Sequence, residues 1–349
     1  MIAFASAVVL ALFAGQGSAP PAGAPSSPPA GVLVVLNKAA ATADFMDPAT
    51  GERLRTLATG TGPHEGAVTP DGRFAVVANY GNKEPGGTLA IFDLARGVAL
   101  EPLDLGGPAR PHGLAFAGGL LLVTAEQRGA LLGVDLEKRA VVKTVATEQA
   151  ASHMVATTPD GKRAFVANIG SGSITAIDLD TWKVIRSVPT GSEAEGIDVS
   201  PDGKDVWVTN RAADTVTVLD AATLEPRATL PCPGFPIRVK LSPDGALALV
   251  SAPMAGEVAV FDARTRALKA RVPLRFEPAE GAEQGVFGGS MGASAQPIGI
   301  LIPPHGREAY VACAAADRVA VLDLKTLALA RSFPTGREPD GLAWYAPRD

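Results

Sequence analysis

The sequence predicts an all-β fold, a seven-bladed β-propeller of four-stranded antiparallel blades, on three observations. A unit recurs. In its clearest copy, Gly191 to Leu230, short runs at Ile197 to Ser200, Asp205 to Asn210, Thr215 to Asp220 and a weaker one at Pro226 to Leu230 are separated by turn residues, the pattern of a four-stranded meander. The copies are evenly spaced: Pro159, Pro201 and Pro243 fall at equal intervals in the low forties, and aspartates closing the third strand stand at Asp47, Asp93, Asp135, Asp178, Asp220, Asp262 and Asp323. A four-strand repeat of that period cannot bury both faces alone but can do so in a closed ring. The ends are complementary. Glu338 to Trp344 reads as a first strand (A) with no B to D after it, and Val32 to Leu57 as B, C and D with no A before them. Together they complete blade 1 and leave no open sheet edge.

Within each unit, Pro-Asp-Gly at 201 to 203 suits a type I turn between strands A and B, and Asp220 with Thr223 a side-chain-bonded turn between C and D. Both are structural. Two stretches break the period, one around Asn82 to Gly86 in blade 2 and one in Glu277 to Gln296, between blades 6 and 7. The second is glycine-rich and lies on the face of the D–A and B–C loops, where it would serve as a lid or form a disordered loop.

Ahead of the ring, residues 2 to 14 are apolar for the length of a signal-peptide core and too short for a bilayer anchor. A signal peptide is expected over 1–19, with cleavage within 17–24, then a proline-rich linker over 20–30 and the propeller over 31–349. Localisation would be periplasmic or secreted. A net charge of −5 with 5% aromatic residues argues against a nucleic-acid surface. Cys232 and Cys313 fall near one face of adjacent blades, where an oxidising compartment would permit a disulfide.

The repeats Ala164 to Asn168, Val206 to Asn210 and Ala309 to Cys313, each following a Pro-x-Gly turn, resemble the YVTN-repeat, YncE-like propeller family over essentially residues 31 to 345. The resemblance implies the fold. Architecturally related propellers include lactonases, a metal-dependent antibiotic lyase and a copper reductase, and Asn79-Tyr80-Gly81 is similar to the lactonase-like branch.

Topology puts a site on the face of the D–A and B–C loops. The residues opening strand A of blades 1 to 7, expected to point at the axis, are Asp340, His64, His112, His153, Glu195, Ile237 and Ile298. Three of the four histidines thus fall on one repeat position. His64, His112, His153 and Glu195 form a ligand set suited to a divalent transition metal, Zn, Cu, Ni or Fe. The same groups would also suit a small polar ligand, with Glu195 and His112 as candidate acid and base, or simply line a hydrated funnel. Further ligand-binding candidates are Asp340, Arg211 and Arg238, whose guanidiniums recognise carboxylates, and Asn79, Asn168 and Asn210 at the ends of B strands, where asparagine also serves turns. Three functions follow: an exported binder of a metal ion or small polar ligand, a metal-dependent hydrolase or lyase of lactonase-like type, and a non-catalytic scaffold presenting its top face to a protein or cell-wall partner.

Overall fold

The computed structural model describes residues 31–282 and 294–346, together with Met1. The expected signal peptide and linker, and most of the glycine-rich lid, lie outside the described residues. Among those described, no helix is long and apolar enough to cross a membrane.

Seven antiparallel sheets follow one another along the chain. Blade 5 shows the plan: strands Ala194–Val199, Asp205–Asn210, Thr215–Asp220 and Pro226–Pro231 pair in sequence order. The inner B and C strands are apolar and buried, and the outer D strands carry the exposed residues. Blade 2 departs from the plan. Its B–C hairpin is lengthened so that Gly81 pairs with Pro85, and its outer edge is split into Val98–Ala99 and Leu103–Asp104. This is the insertion expected around Asn82 to Gly86.

Blade 1 closes the ring as its ends predicted. Strand Pro339–Tyr345 pairs antiparallel with Val32–Asn37, Val34 opposite Ala343 and Val35 opposite Leu342. Packing between neighbouring blades supplies the core. Phe165 and Val206 share one apolar cluster and Trp207 and Phe261 the next. Cys232 and Cys313 are free thiols buried in separate clusters, and burial pushes each up to about 12. The thiols are inert at neutral pH.

The turn motifs are structural, as read. Asp220 Oδ1 accepts the backbone N–H groups of Ala222 and Thr223 at 2.8 Å, and Asp178, Asp262 and Asp323 repeat the arrangement. Asp202 accepts from the Ser200 hydroxyl and the Lys204 amide.

Candidate functional site: the axial hub

Strand A of most blades carries a register irregularity where it meets the hub. The shift falls between Pro63 and Gly66, Ser152 and Met154, Ala194 and Ile197, and Pro297 and Ile300. A bulge re-aims a side chain, and here it sits at His64, His153, Glu195 and Ile298. Close approach of neighbouring A strands is the other requirement. A Cβ on Gly341 would lie 2.0 Å from the His64 carbonyl oxygen, and one on Gly299 2.0 Å from that of Asp340. Glycine is obligatory at these positions, while Glu65 and Arg238 occupy the equivalent places in blades 2 and 6.

Two residues at the end of strand B hold this geometry. Thr209 Oγ1 accepts the Gly196 amide at 2.8 Å and donates to the Ile237 carbonyl of the next blade at 2.9 Å. Thr124 links Gly113 to His153, and Ser251 links Arg238 to Ile298, in the same way. Asn210 donates to Thr215 and Thr217 within its own sheet. Asn168 does so to Ser173 and Thr175, while Asn79 bridges Thr88 and the Gly60 amide. The side-chain amides of the three asparagines expected at a ligand thus donate within their own sheets, while Asn210 Oδ1 is buried without a hydrogen-bond partner. The threonine and asparagine of the Val-Thr-Asn repeat thus latch adjacent blades and brace the turn.

The three hub histidines are brought together. His112 stacks between His64 and His153, with ring centroids 4.4 Å and 3.7 Å away. Each outer imidazole has a carboxylate: His153 Nδ1 lies 2.6 Å from Glu126 Oε2, and His64 Nδ1 lies 2.7 Å from Asp340 Oδ2 in an off-line contact. Lys38 Nζ adds a 3.4 Å contact to the same Asp340 oxygen. Glu126 also accepts from the Tyr80 hydroxyl at 2.8 Å, and the Tyr80 ring meets His64 and His112 edge-on. His112 is 1% exposed, and its Nδ1 has no hydrogen-bond partner.

Glu195 is the most heavily committed group. Its Oε2 accepts from Arg211 at 2.7 Å and its Oε1 from Arg238 at 3.1 Å, with His153 Nε2 3.6 Å away. Arg211 also holds Glu193 at the rim. Arg238 reaches across the axis to Glu65, donating from Nε and Nη2 to Oε1 at 3.0 and 2.8 Å. The two arginines expected at a ligand are thus bound to carboxylates, as a buried charge requires.

Electrostatics separate the imidazoles. Burial, with the charge of Lys38, depresses His64 to about 4, against the pull of Asp340. Burial and the neighbouring His153 and His64 hold His112 well below the ordinary value. His153 goes the other way: burial disfavours its charge, but the bonds to Glu126 and Glu195 outweigh that. Burial also opposes ionisation of Glu195, yet His153, Arg211 and Arg238 bring it to about 2. Asp340 stays ionised far below the usual range, because the charges beside it outweigh burial. The hub therefore favours charge on His153 and disfavours it on His64 and His112, with Glu195 and Asp340 held in their ionised forms.

Among the described residues, no three His, Cys, Asp or Glu side chains are grouped as a metal ion would require. The contacts also name residues that sequence reasoning passed over. Lys38, Tyr80 and Glu126 occupy the position just after strand B, the one from which Arg211 was selected, and Glu65 shares the repeat position of Arg238.

Residues 131–225, covering parts of blades 3 to 5, match the family model of the YNCE-like beta-propeller. That stretch carries the YncE-like propeller repeat. No curated protein matches the chain. A solved structure similar to this chain is a Bacteroides uniformis ATCC 8492 protein described provisionally as a 6-phosphogluconolactonase. The two are 16% identical with a TM-score of 0.71, over 90% of this chain and 100% of that one. At that identity the likeness concerns the fold.

Proposed function

We propose that this YncE-like propeller binds a small polar, hydroxyl-bearing ligand at its axial hub, reached from the face where Arg211, Glu193 and Glu126 form the rim. The reading is carried by His112. Every charged hub group described above has an opposite charge beside it, whereas this neutral imidazole is buried with Nδ1 unpartnered. A desolvated polar atom without a partner is costly, and a ligand hydroxyl or carbonyl would relieve the cost. A few convergent polar groups at the floor of a concave site are the usual specificity elements of such pockets. The provisional lactonase description of the Bacteroides uniformis protein makes sugar acids and lactones the first class to test.

The test is calorimetric titration with gluconate and gluconolactone, comparing wild type with His112→Ala. A loss of about tenfold or more in affinity, roughly 1.4 kcal/mol, is expected. Equal affinity in the two proteins, or no binding to wild type, would sink the proposal. If turnover accompanies binding, Glu195, at about 2 and held by Arg211 and Arg238, is too weak a base to take the proton.

A second reading, a divalent transition metal, draws on one feature. His64 and His153 each have Nδ1 against a carboxylate, as metal-ligating imidazoles commonly do. Elemental analysis and Zn²⁺ or Cu²⁺ titration distinguish it, since metal retained by wild type and lost in His64→Ala would favour this occupant.

A further inference from the structure

Below the Arg238–Glu65 bridge, the axial channel continues toward the A–B turns as a separate chamber of about 280 Å³. Its wall differs in kind from the hub. Leu114, Met154, Ile300, Leu342 and Trp344 supply apolar surface from the A strands of four blades, Arg238 with Glu65 forms its roof, and Lys240, paired with Asp198 at 3.8 Å, stands on the wall.

The roof is asymmetric. Arg238 is saturated by two carboxylates, donating to both Glu65 and Glu195. All the hydrogen bonds that Glu65 accepts from the described residues fall on Oε1, and its side chain retains 15% exposure. A carboxylate oxygen is thus left at the head of an apolar chamber, where low dielectric strengthens its attraction for a cation. An anion would instead meet that carboxylate, an arginine already engaged by Glu65 and Glu195, and a lysine already paired with Asp198.

We propose that this lower chamber is a second binding site, distinct from the hub, for a small organic cation with an apolar body, such as an alkylammonium. The ammonium binds Glu65 Oε2, and the apolar part lies against Met154, Ile300, Leu342 and Trp344. Burial of apolar surface supplies affinity, and the carboxylate supplies the preference for positive charge.

Calorimetric titration of the full-length protein with hexylammonium, hexanol and hexanoate at one ionic strength tests this. Hexylammonium binds at least about tenfold more tightly than the other two. Glu65→Gln removes that advantage and leaves hexanol binding unchanged. Leu114→Trp, which fills the chamber and leaves the Arg238–Glu65 bridge in place, abolishes binding of all three and keeps the test decisive if Glu65→Gln does not fold. The proposal is overturned if hexanoate binds as tightly as hexylammonium, if either variant leaves the amine's affinity intact, or if wild type binds no hexylammonium at millimolar concentration.

Discussion

Arg238 Nη2 lies 2.8 Å from Glu65 Oε1, joining blade 6 to blade 2 across the axis of the ring. Arg238→Met removes the charge that balances both Glu65 and Glu195, leaving buried carboxylates short of a partner. Breaking one side of a buried ion pair costs about 3–5 kcal/mol, so urea unfolding should show a loss of that order. Adding Glu65→Gln should restore part of it.

His112 makes an opposite demand. Its imidazole is buried between two others with Nδ1 unpartnered, which suits binding and does not help stability. Replacement by phenylalanine keeps an aromatic ring in the stack and deletes the unpartnered atom. His112→Phe should be as stable as wild type, or more so by about 1 kcal/mol, while losing hub ligand binding. A large loss in urea midpoint would show that the imidazole nitrogens support the fold.

The stability–pH profile follows from the hub. His64 is depressed from 6.5 to about 4 and His112 is also held well below 6.5, so across this range the unfolded chain takes up protons that the folded hub refuses. Stability therefore falls as pH drops from about 6.5 toward 4. His153 has the reverse sign. Its raised value stabilises the fold below 6.5, and that contribution disappears as pH rises through its folded value. Between 6.5 and 4 the two depressed histidines therefore set the slope, which is a loss on acidification, while His153 acts above 6.5. Urea midpoints across this range should show it, and His64→Gln combined with His112→Phe should flatten it.

Close packing of the A strands gives a backbone test. A Cβ at Gly341 would meet the His64 carbonyl oxygen at 2.0 Å, and neither backbone can yield without parting blades 1 and 2. Gly341→Ala should cost about 1–3 kcal/mol, the usual range for forced overpacking, read as a lowered melting temperature. An unchanged melting temperature would mean that the blades separate freely at the hub.

The ring was legible in the sequence because each blade repeats the same local chemistry. Pro-Asp-Gly, Asp-x-x-Thr and the apolar B and C strands all act within a few residues of themselves. His64, His112 and His153 were legible for a related reason, since equal repeat positions fall at equal depth around an axis. The partners of these histidines were harder to find. Glu126 and Tyr80 meet 46 residues apart, and Glu65 and Arg238 173 apart, distances set by ring closure and not by local spacing. Comparing the residue after strand B across blades would have brought out Lys38, Tyr80 and Glu126 beside Arg211. It would not have shown that Arg211 and Arg238 share one carboxylate.

The pairing of Pro339–Tyr345 with Val32–Asn37 makes hub assembly a late event in the life of each molecule. As the polypeptide leaves the ribosome, the earliest strands wait without their inner neighbour while the other blades are synthesised. Asp340 then arrives with the final strand and brings His64 its carboxylate. A nascent or truncated product lacking that segment has an open seam and an unfinished hub, so ligand binding there would report that synthesis had passed Tyr345.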